Sequence, residues 1–133
     1  MNPSDLSPTE RRQRQRFAAV RDGKPCIDLV VEGRKLTLID LSLDGFSVSQ
    51  QAPCPEGEFD FTLRLIDGFG DRVQGRARAV NRAGGLTGCV IVSLQEGGER
   101  VLQEWLTVIV ICGASVRLTP ADAEAIVKGP SLI

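Results

Sequence analysis

The residue types best suited to bind a ligand form two short groups in this sequence. The first is an arginine cluster, in which Arg12 and Arg16 are four positions apart and Arg11 precedes them. Side chains at this spacing lie on the same side of an extended arm and also of a helix, so both guanidinium groups can reach one ligand. Guanidinium groups form bidentate hydrogen bonds with phosphate oxygens and with the O6/N7 edge of guanine. The spacing therefore favours an arm that binds an anion or a guanine, although a solvated basic tail has the same composition.

The second group is the segment Asp40-Leu41-Ser42-Leu43-Asp44-Gly45, which falls between two predicted strands. In one interpretation it is a polar turn, in which Asp40 and Ser42 bond to local backbone amides and Gly45 adopts a positive φ. In the other, the Asp40 carboxylate and the Ser42 hydroxyl project from the strand end and accept hydrogen bonds from the N–H groups of guanine. Gly45 would then let the backbone approach the base closely. The segment alone does not separate the two interpretations.

The composition removes most classes of enzyme. The chain has 133 residues, 42% of them hydrophobic, and a net charge of −1, which is typical of one globular domain. It contains no histidine, which excludes Ser/His/Asp triads and mixed Cys/His zinc sites. The four cysteines form no Cys-x-x-Cys pair, so we interpret them as reduced residues that fill apolar positions. Catalysis would depend on Asp40, Ser42 and Asp44 alone, and we therefore expect no enzymatic activity, no metal and no cofactor.

The apolar runs and the first residues bear on the location of the protein. The longest apolar run, near residues 108–112, is far shorter than the roughly 18–20 residues that cross a bilayer. The opening residues, Met-Asn-Pro-Ser-Asp, lack the charged head and apolar body of a secretory signal. We therefore expect no membrane span and a cytoplasmic location.

Alternating apolar residues predict a series of short strands joined by turns. In residues 59–65 the apolar side chains occupy every second position, which is the clearest strand pattern in the chain. In the last predicted strand, Val90, Val92 and Leu94 share one face. Short strands at regular spacing indicate an antiparallel β-barrel. The predicted strands are residues 26–32, 36–38, 46–49, 59–65, 72–82 and 87–94.

After the strands, the apolar spacing changes to three and four residues, which predicts a helix that packs against the barrel. The stripe consists of Val101, Leu102, Trp105, Leu106 and Ile109. The β-branched residues 107–111 fit either a continuation of this helix or a strand, and we favour the helix. A second, short helix is predicted from Pro120, with Thr119 as its N-cap and Asp122 in its first turn.

These features together resemble the PilZ domain family of bacterial cyclic di-GMP receptors. The shared pattern is an Arg-x-x-x-Arg segment before the first strand, an Asp-x-Ser-x-x-Gly segment after the second, short antiparallel strands and a closing helix. The resemblance covers roughly residues 10–106. It implies a small six-stranded antiparallel β-barrel with a C-terminal helix, and an arginine arm that folds over the ligand. The chain then divides into a flexible tail (residues 1–9), the PilZ-like domain (residues 10–106) and a helical extension (residues 107–133).

The resemblance assigns ligand binding to residues in both polar segments. The arginines would bind phosphates and guanine edges, the aspartate and serine would bind from the barrel side, and the glycine would shape the turn. These residues are Arg11, Arg12, Arg16, Asp40, Ser42 and Gly45. In addition, Arg78 or Arg82 could stack on a guanine, as guanidinium planes do, or both could line a solvated strand face.

The function that this resemblance implies is a receptor that binds cyclic di-GMP and changes its surface. An unidentified protein partner would read that change in second-messenger signalling. Two alternatives remain open: a PilZ-like adaptor that binds protein but no nucleotide, and a small barrel that binds RNA or DNA through the arginine arm. The near-neutral charge and the scarcity of aromatic residues, five Phe and no Tyr, argue against nucleic acid.

Overall fold

A computed structural model describes residues 15–50, 54–66, 70–114 and 117–129. The tail predicted over residues 1–9 and the side chains of Arg11 and Arg12 lie outside these ranges. Within them the strands are β1 (Phe17–Ala18), β2 (Val20–Arg21), β3 (Lys24–Pro25), β4 (Ile27–Val31), β5 (Arg34–Leu36), β6 (Leu38–Leu41), β7 (Gly45–Ser49), β8 (Glu58–Leu65), β9 (Arg72–Ala83) and β10 (Leu86–Leu94). The helices are α1 (Gly98–Gly113) and α2 (Pro120–Lys128).

Eight of these strands form one antiparallel sheet in the order β1-β6-β7-β10-β9-β8-β4-β5, and β2 pairs with β3 in a small second sheet. The predicted class, mainly antiparallel β with C-terminal helices, is confirmed. The predicted count of six strands is wrong. The predicted strand at residues 36–38 corresponds to parts of two strands, β5 and β6, and β1, with two residues, is too short for an alternating pattern to reveal it.

The connection between β5 and β6 requires the sheet to curl. These two strands lie towards opposite ends of the sheet, yet only Thr37 separates them in the chain. The ends of the sheet must therefore approach each other. Phe46 on β7 and Phe61 on β8 have two strands between them in the sheet, but their ring centroids are 5.2 Å apart across the core. The sheet is thus a half-barrel around one apolar core.

Two β-bulges interrupt the pairing of β9 with β10. One leaves Val80 of β9 without a partner in the ladder, and the other leaves Val92 of β10 without one. An extra residue bends its strand and shifts the alternation of faces beyond it. Val92 is 47% exposed, whereas Leu94, beyond the second bulge, packs against the core. The prediction that Val90, Val92 and Leu94 share one face is therefore wrong.

Helix α1 packs one face against the core of the sheet. Its buried side chains are Leu102, Trp105, Leu106 and Ile109, at the predicted spacing. The helix continues through the β-branched residues 107–111 to Gly113, which confirms the helical prediction for that segment. Cys112, in the last turn, is exposed. The prediction that all four cysteines fill apolar positions is therefore wrong for Cys112.

Helix α2 begins at the predicted cap and packs against α1. The Asp122 backbone N–H donates to Thr119 Oγ1 at 3.1 Å, and the Thr119 backbone N–H donates to Asp122 Oδ2 at 3.4 Å, which completes a capping box. Ala123 and Val127 are buried, and Val127 belongs to the main core. In the described ranges of the chain, neither helix is long and apolar enough to cross a membrane.

Two substitutions on α1 test whether this helix closes the core. Leu106 is fully buried, whereas Val108 is 42% exposed on the same helix. We expect Leu106→Ala to lower the free energy of unfolding by about 2–5 kcal/mol, because it removes buried methyl groups and leaves a cavity. Val108→Ala should change it by less than about 0.5 kcal/mol. Urea denaturation measures both, and equal losses in the two variants would contradict the packing of α1 against the sheet.

Candidate functional site

The polar site lies on the outer face of the sheet, where Arg16 crosses β6 and β7. Strand β1 pairs with β6, which brings Arg16, one residue before β1, beside Asp40. Asp40 lies opposite Ser47 in the pairing of β6 with β7, so both side chains are on one face. The Arg16 Nη1 group donates to Ser47 Oγ at 2.6 Å and to Asp40 Oδ1 at 3.3 Å. The structure therefore brings the predicted residues Arg16 and Asp40 together and adds Ser47.

Burial makes this contact stronger than an ordinary surface ion pair. The Arg16 side chain is 14% exposed and that of Asp40 is 25% exposed. A charged hydrogen bond in such surroundings contributes about 1.5–3 kcal/mol, against 0–1 kcal/mol for an exposed pair. The Nε atom of Arg16 is buried and has no hydrogen-bond partner among the described residues. Arg16 is thus fixed through one nitrogen while another donor is unused.

Gly45 leaves the space that the Arg16 guanidinium occupies. A Cβ atom at this position would lie 2.5 Å from the carbonyl oxygen of Cys89 and 3.2 Å from Arg16 Nη2. The positive φ suggested by the turn interpretation is wrong for Gly45, because the residue opens the extended strand β7 and has no positive φ. Glycine is needed here for close approach of other atoms to the backbone.

Ser42 lies beneath this surface, in the turn between β6 and β7. Its side chain is fully buried. Ser42 Oγ donates to Asp44 Oδ1 at 2.7 Å and accepts from the Asp44 backbone N–H at 3.2 Å. The Asp44 carbonyl in turn accepts from the Ile91 backbone N–H at 2.9 Å, which ties the turn to β10. In this structure the Ser42 hydroxyl bonds within the turn, so its predicted contact with a ligand would require it to exchange these partners.

The strand register separates the two arginines that were candidates for stacking. Arg78 lies opposite Val90, which lies opposite Gly45, so Arg78 is on the outer face with Arg16. Arg82 follows the first bulge and lies opposite the buried Thr87. Arg78 forms no ion pair with any residue of the described ranges, whereas Arg76 contacts both Glu58 and Asp60. Of these two arginines, Arg78 is therefore the one that lies on the same face as the Arg16 site.

Sequence reasoning missed Ser47 as a partner of Arg16. The alternation of Phe46 and Val48 with Ser47 was visible, and it placed the serine on the face away from the core. Recognising its role required the register of β6 against β7, which no local pattern encodes. The remaining predicted site residues, Arg11 and Arg12, lie outside the described residues.

Comparisons with known proteins extend to the fold alone. No family model and no curated protein matches the chain. Among solved structures, an uncharacterised protein from Legionella is similar, with a TM-score of 0.51 and 10% sequence identity. The similarity covers 65% of this chain and 85% of the Legionella chain. At this identity it indicates a shared architecture and carries no information on the site.

The close approach at Gly45 can be tested by comparing a glycine-to-alanine substitution there with the same substitution at Gly113. We expect Gly45→Ala to lower the free energy of unfolding by about 1–3 kcal/mol, because its methyl group would collide with the Cys89 carbonyl. Gly113→Ala, at the end of α1 with nothing within 4 Å of the new atom, should cost nothing, since alanine favours helix. Chemical denaturation followed by circular dichroism measures the difference, and a Gly45→Ala protein of wild-type stability would contradict the tight packing.

Proposed function

We propose that the protein is a receptor for cyclic di-GMP, which binds on the outer face of the half-barrel at Arg16. The observation that carries this proposal is the Arg16 guanidinium, which Asp40 and Ser47 hold over Gly45 and whose Nε has no partner among the described residues. A fixed arginine with unused N–H groups is suited to phosphate oxygens and to the O6/N7 edge of guanine.

The composition of the ligand fits the arrangement of the chain. Cyclic di-GMP carries two phosphates and two guanines on one ring, so it presents paired targets to Arg12 and Arg16, with Arg11 adding positive charge. Asp40 would accept from the N1 and N2 hydrogens of a guanine, and Gly45 would allow the base to approach the strand. The nucleotide would thus join the arm to the sheet.

The longer strands of the sheet also support the proposed function. Strands β4, β6, β7, β8, β9 and β10 each contain four or more residues. We propose that these six form the PilZ-type barrel and that β1 and β5 extend its edges. Helix α1 is then the closing helix of the domain. Binding would change the surface around the arm, and a protein partner in bacterial signalling would read that change.

Isothermal titration calorimetry tests the proposed receptor directly. We expect the wild-type protein to bind cyclic di-GMP and to bind GMP and GTP more weakly. Arg12→Ala and Arg16→Ala should each weaken binding at least tenfold, because losing one charged contact costs on the order of 1.5–3 kcal/mol. Arg72 is the first residue of β9 and does not belong to the candidate site. Arg72→Ala removes the same charge and should leave the affinity unchanged.

Two outcomes would contradict the proposed function. One is the absence of binding heat with the wild-type protein, and the other is wild-type affinity in both arm variants. Arg16→Ala also removes the contacts with Asp40 and Ser47, so its thermal melt must be recorded beside the titration. Arg12→Ala leaves in place the three side chains that form those contacts, and it keeps the test decisive if the other variant unfolds.

A second titration tests the placement of Arg78. Neighbouring strands are about 4.8 Å apart, so Arg78 lies about 10 Å from Gly45 on the same face, within reach of the distal half of the ligand. We expect Arg78→Ala to weaken binding about fivefold, as the loss of one cation–π contact would. Arg82→Ala should have no effect, because Arg82 is beyond the bulge. A larger loss for Arg82→Ala than for Arg78→Ala would overturn this placement.

A further inference from the structure

Two of the four cysteines lie side by side although they are far apart in the chain. The Sγ atoms of Cys54 and Cys89 are 4.0 Å apart. Cys89 is fully buried in the middle of β10, held between β7 and β9. Cys54 is half-buried and precedes β8, in a stretch without strand pairing. One thiol is therefore fixed, and the other lies on a segment that has no ladder to hold it.

The geometry needs little change to allow a covalent bond. A disulfide has an S–S distance of about 2.05 Å, so the two sulfur atoms must approach by roughly 2 Å. Rotation of the Cys54 side chain and a small movement of its segment can supply this approach. Cys54 is also the more accessible of the two thiols, so an oxidant from solvent reaches it first.

Burial and the nearby charges together determine how much of each thiol is present as thiolate. Burial raises the pKa of both thiols, and that of Cys89 rises to about 12. Arg82 opposes this effect at both thiols, and Arg16 opposes it at Cys89. The thiolate is the reactive form, so the pair reacts slowly at neutral pH and faster as the pH rises.

We propose that Cys54 and Cys89 form an oxidation site, which a hydroperoxide converts reversibly to an intramolecular disulfide. In the first step the Cys54 thiolate attacks one oxygen of hydrogen peroxide, the O–O bond breaks, and Cys54 sulfenic acid and hydroxide form. In the second step the Cys89 sulfur attacks the Cys54 sulfur and the S–O bond breaks. The hydroxyl leaves as water with the Cys89 proton. The two thiols lose two electrons in total, and peroxide gains them.

This inference is independent of the proposed nucleotide site. The product would tie the segment that precedes β8 to β10 behind Gly45, since the Cys89 carbonyl lies against that residue. The carbonyl and the sulfur belong to one residue of a buried strand. Oxidation therefore adds a covalent link to the part of the sheet that lies beneath Arg16, whatever ligand binds there.

Peptide mapping by mass spectrometry tests the proposal on the full chain. The protein is treated with hydrogen peroxide, free thiols are blocked, and the digest is searched for a peptide pair joined through Cys54 and Cys89. In a sample taken before the thiols are blocked, we expect the intact mass to fall by about 2 Da and to return to its starting value on reduction with dithiothreitol. Raising the pH from 7 to 8 should speed formation up to about tenfold, as the thiolate fraction increases.

Matched serine variants distinguish this pair from the other cysteines. Cys54→Ser should abolish the linked peptide, and because Cys54 is only half-buried the variant is a mild change. Cys112→Ser and Cys26→Ser should both retain it. The proposal is overturned if the wild-type protein gives only a crosslink between Cys26 and Cys112, only dimers joined through the exposed Cys112, or only sulfinic acid at Cys54 with no crosslink.

Discussion

The short connection through Thr37 is the constraint on which the rest of the structure depends. Because β5 and β6 belong to opposite ends of the sheet and one residue joins them, a flat sheet is impossible. Curling places Phe46 against Phe61 and lets α1 pack its apolar face against the same core. It also defines an outer face, on which Arg16, Asp40 and Ser47 contact one another.

The outer face carries a charge that the protein has partly removed from water. Taking a guanidinium out of solvent is unfavourable unless a carboxylate and further acceptors compensate. Asp40 and Ser47 provide this compensation through Nη1 of Arg16. Loss of one partner leaves the other charge buried and unpaired, which costs more than the pair itself contributes. The buried Nε has no partner among the described residues, so the compensation is incomplete.

The two bulges between β9 and β10 decide which side chains share a surface. Without the bulge at Val80, Arg78 and Arg82 would lie on one face, as their even spacing suggests. With it, Arg78 is on the outer face near Arg16, whereas Arg82 lies close enough to Cys54 and Cys89 to lower the pKa of both thiols. The same irregularity therefore separates a residue of the candidate ligand face from one beside the dithiol.

The sequence by itself determined the local elements. The alternation in β8, the stripe on α1 and the Thr119 cap of α2 each depend on residues within one element, so periodicity and capping chemistry were sufficient to predict them. The association of Arg16 with Asp40 followed only from a family resemblance. Its anchoring by Ser47, the true reason for Gly45 and the pairing of Cys54 with Cys89 were decided by the tertiary structure. These contacts depend on strand register, on bulges and on the curl of the sheet, which arise from interactions between residues distant in the chain.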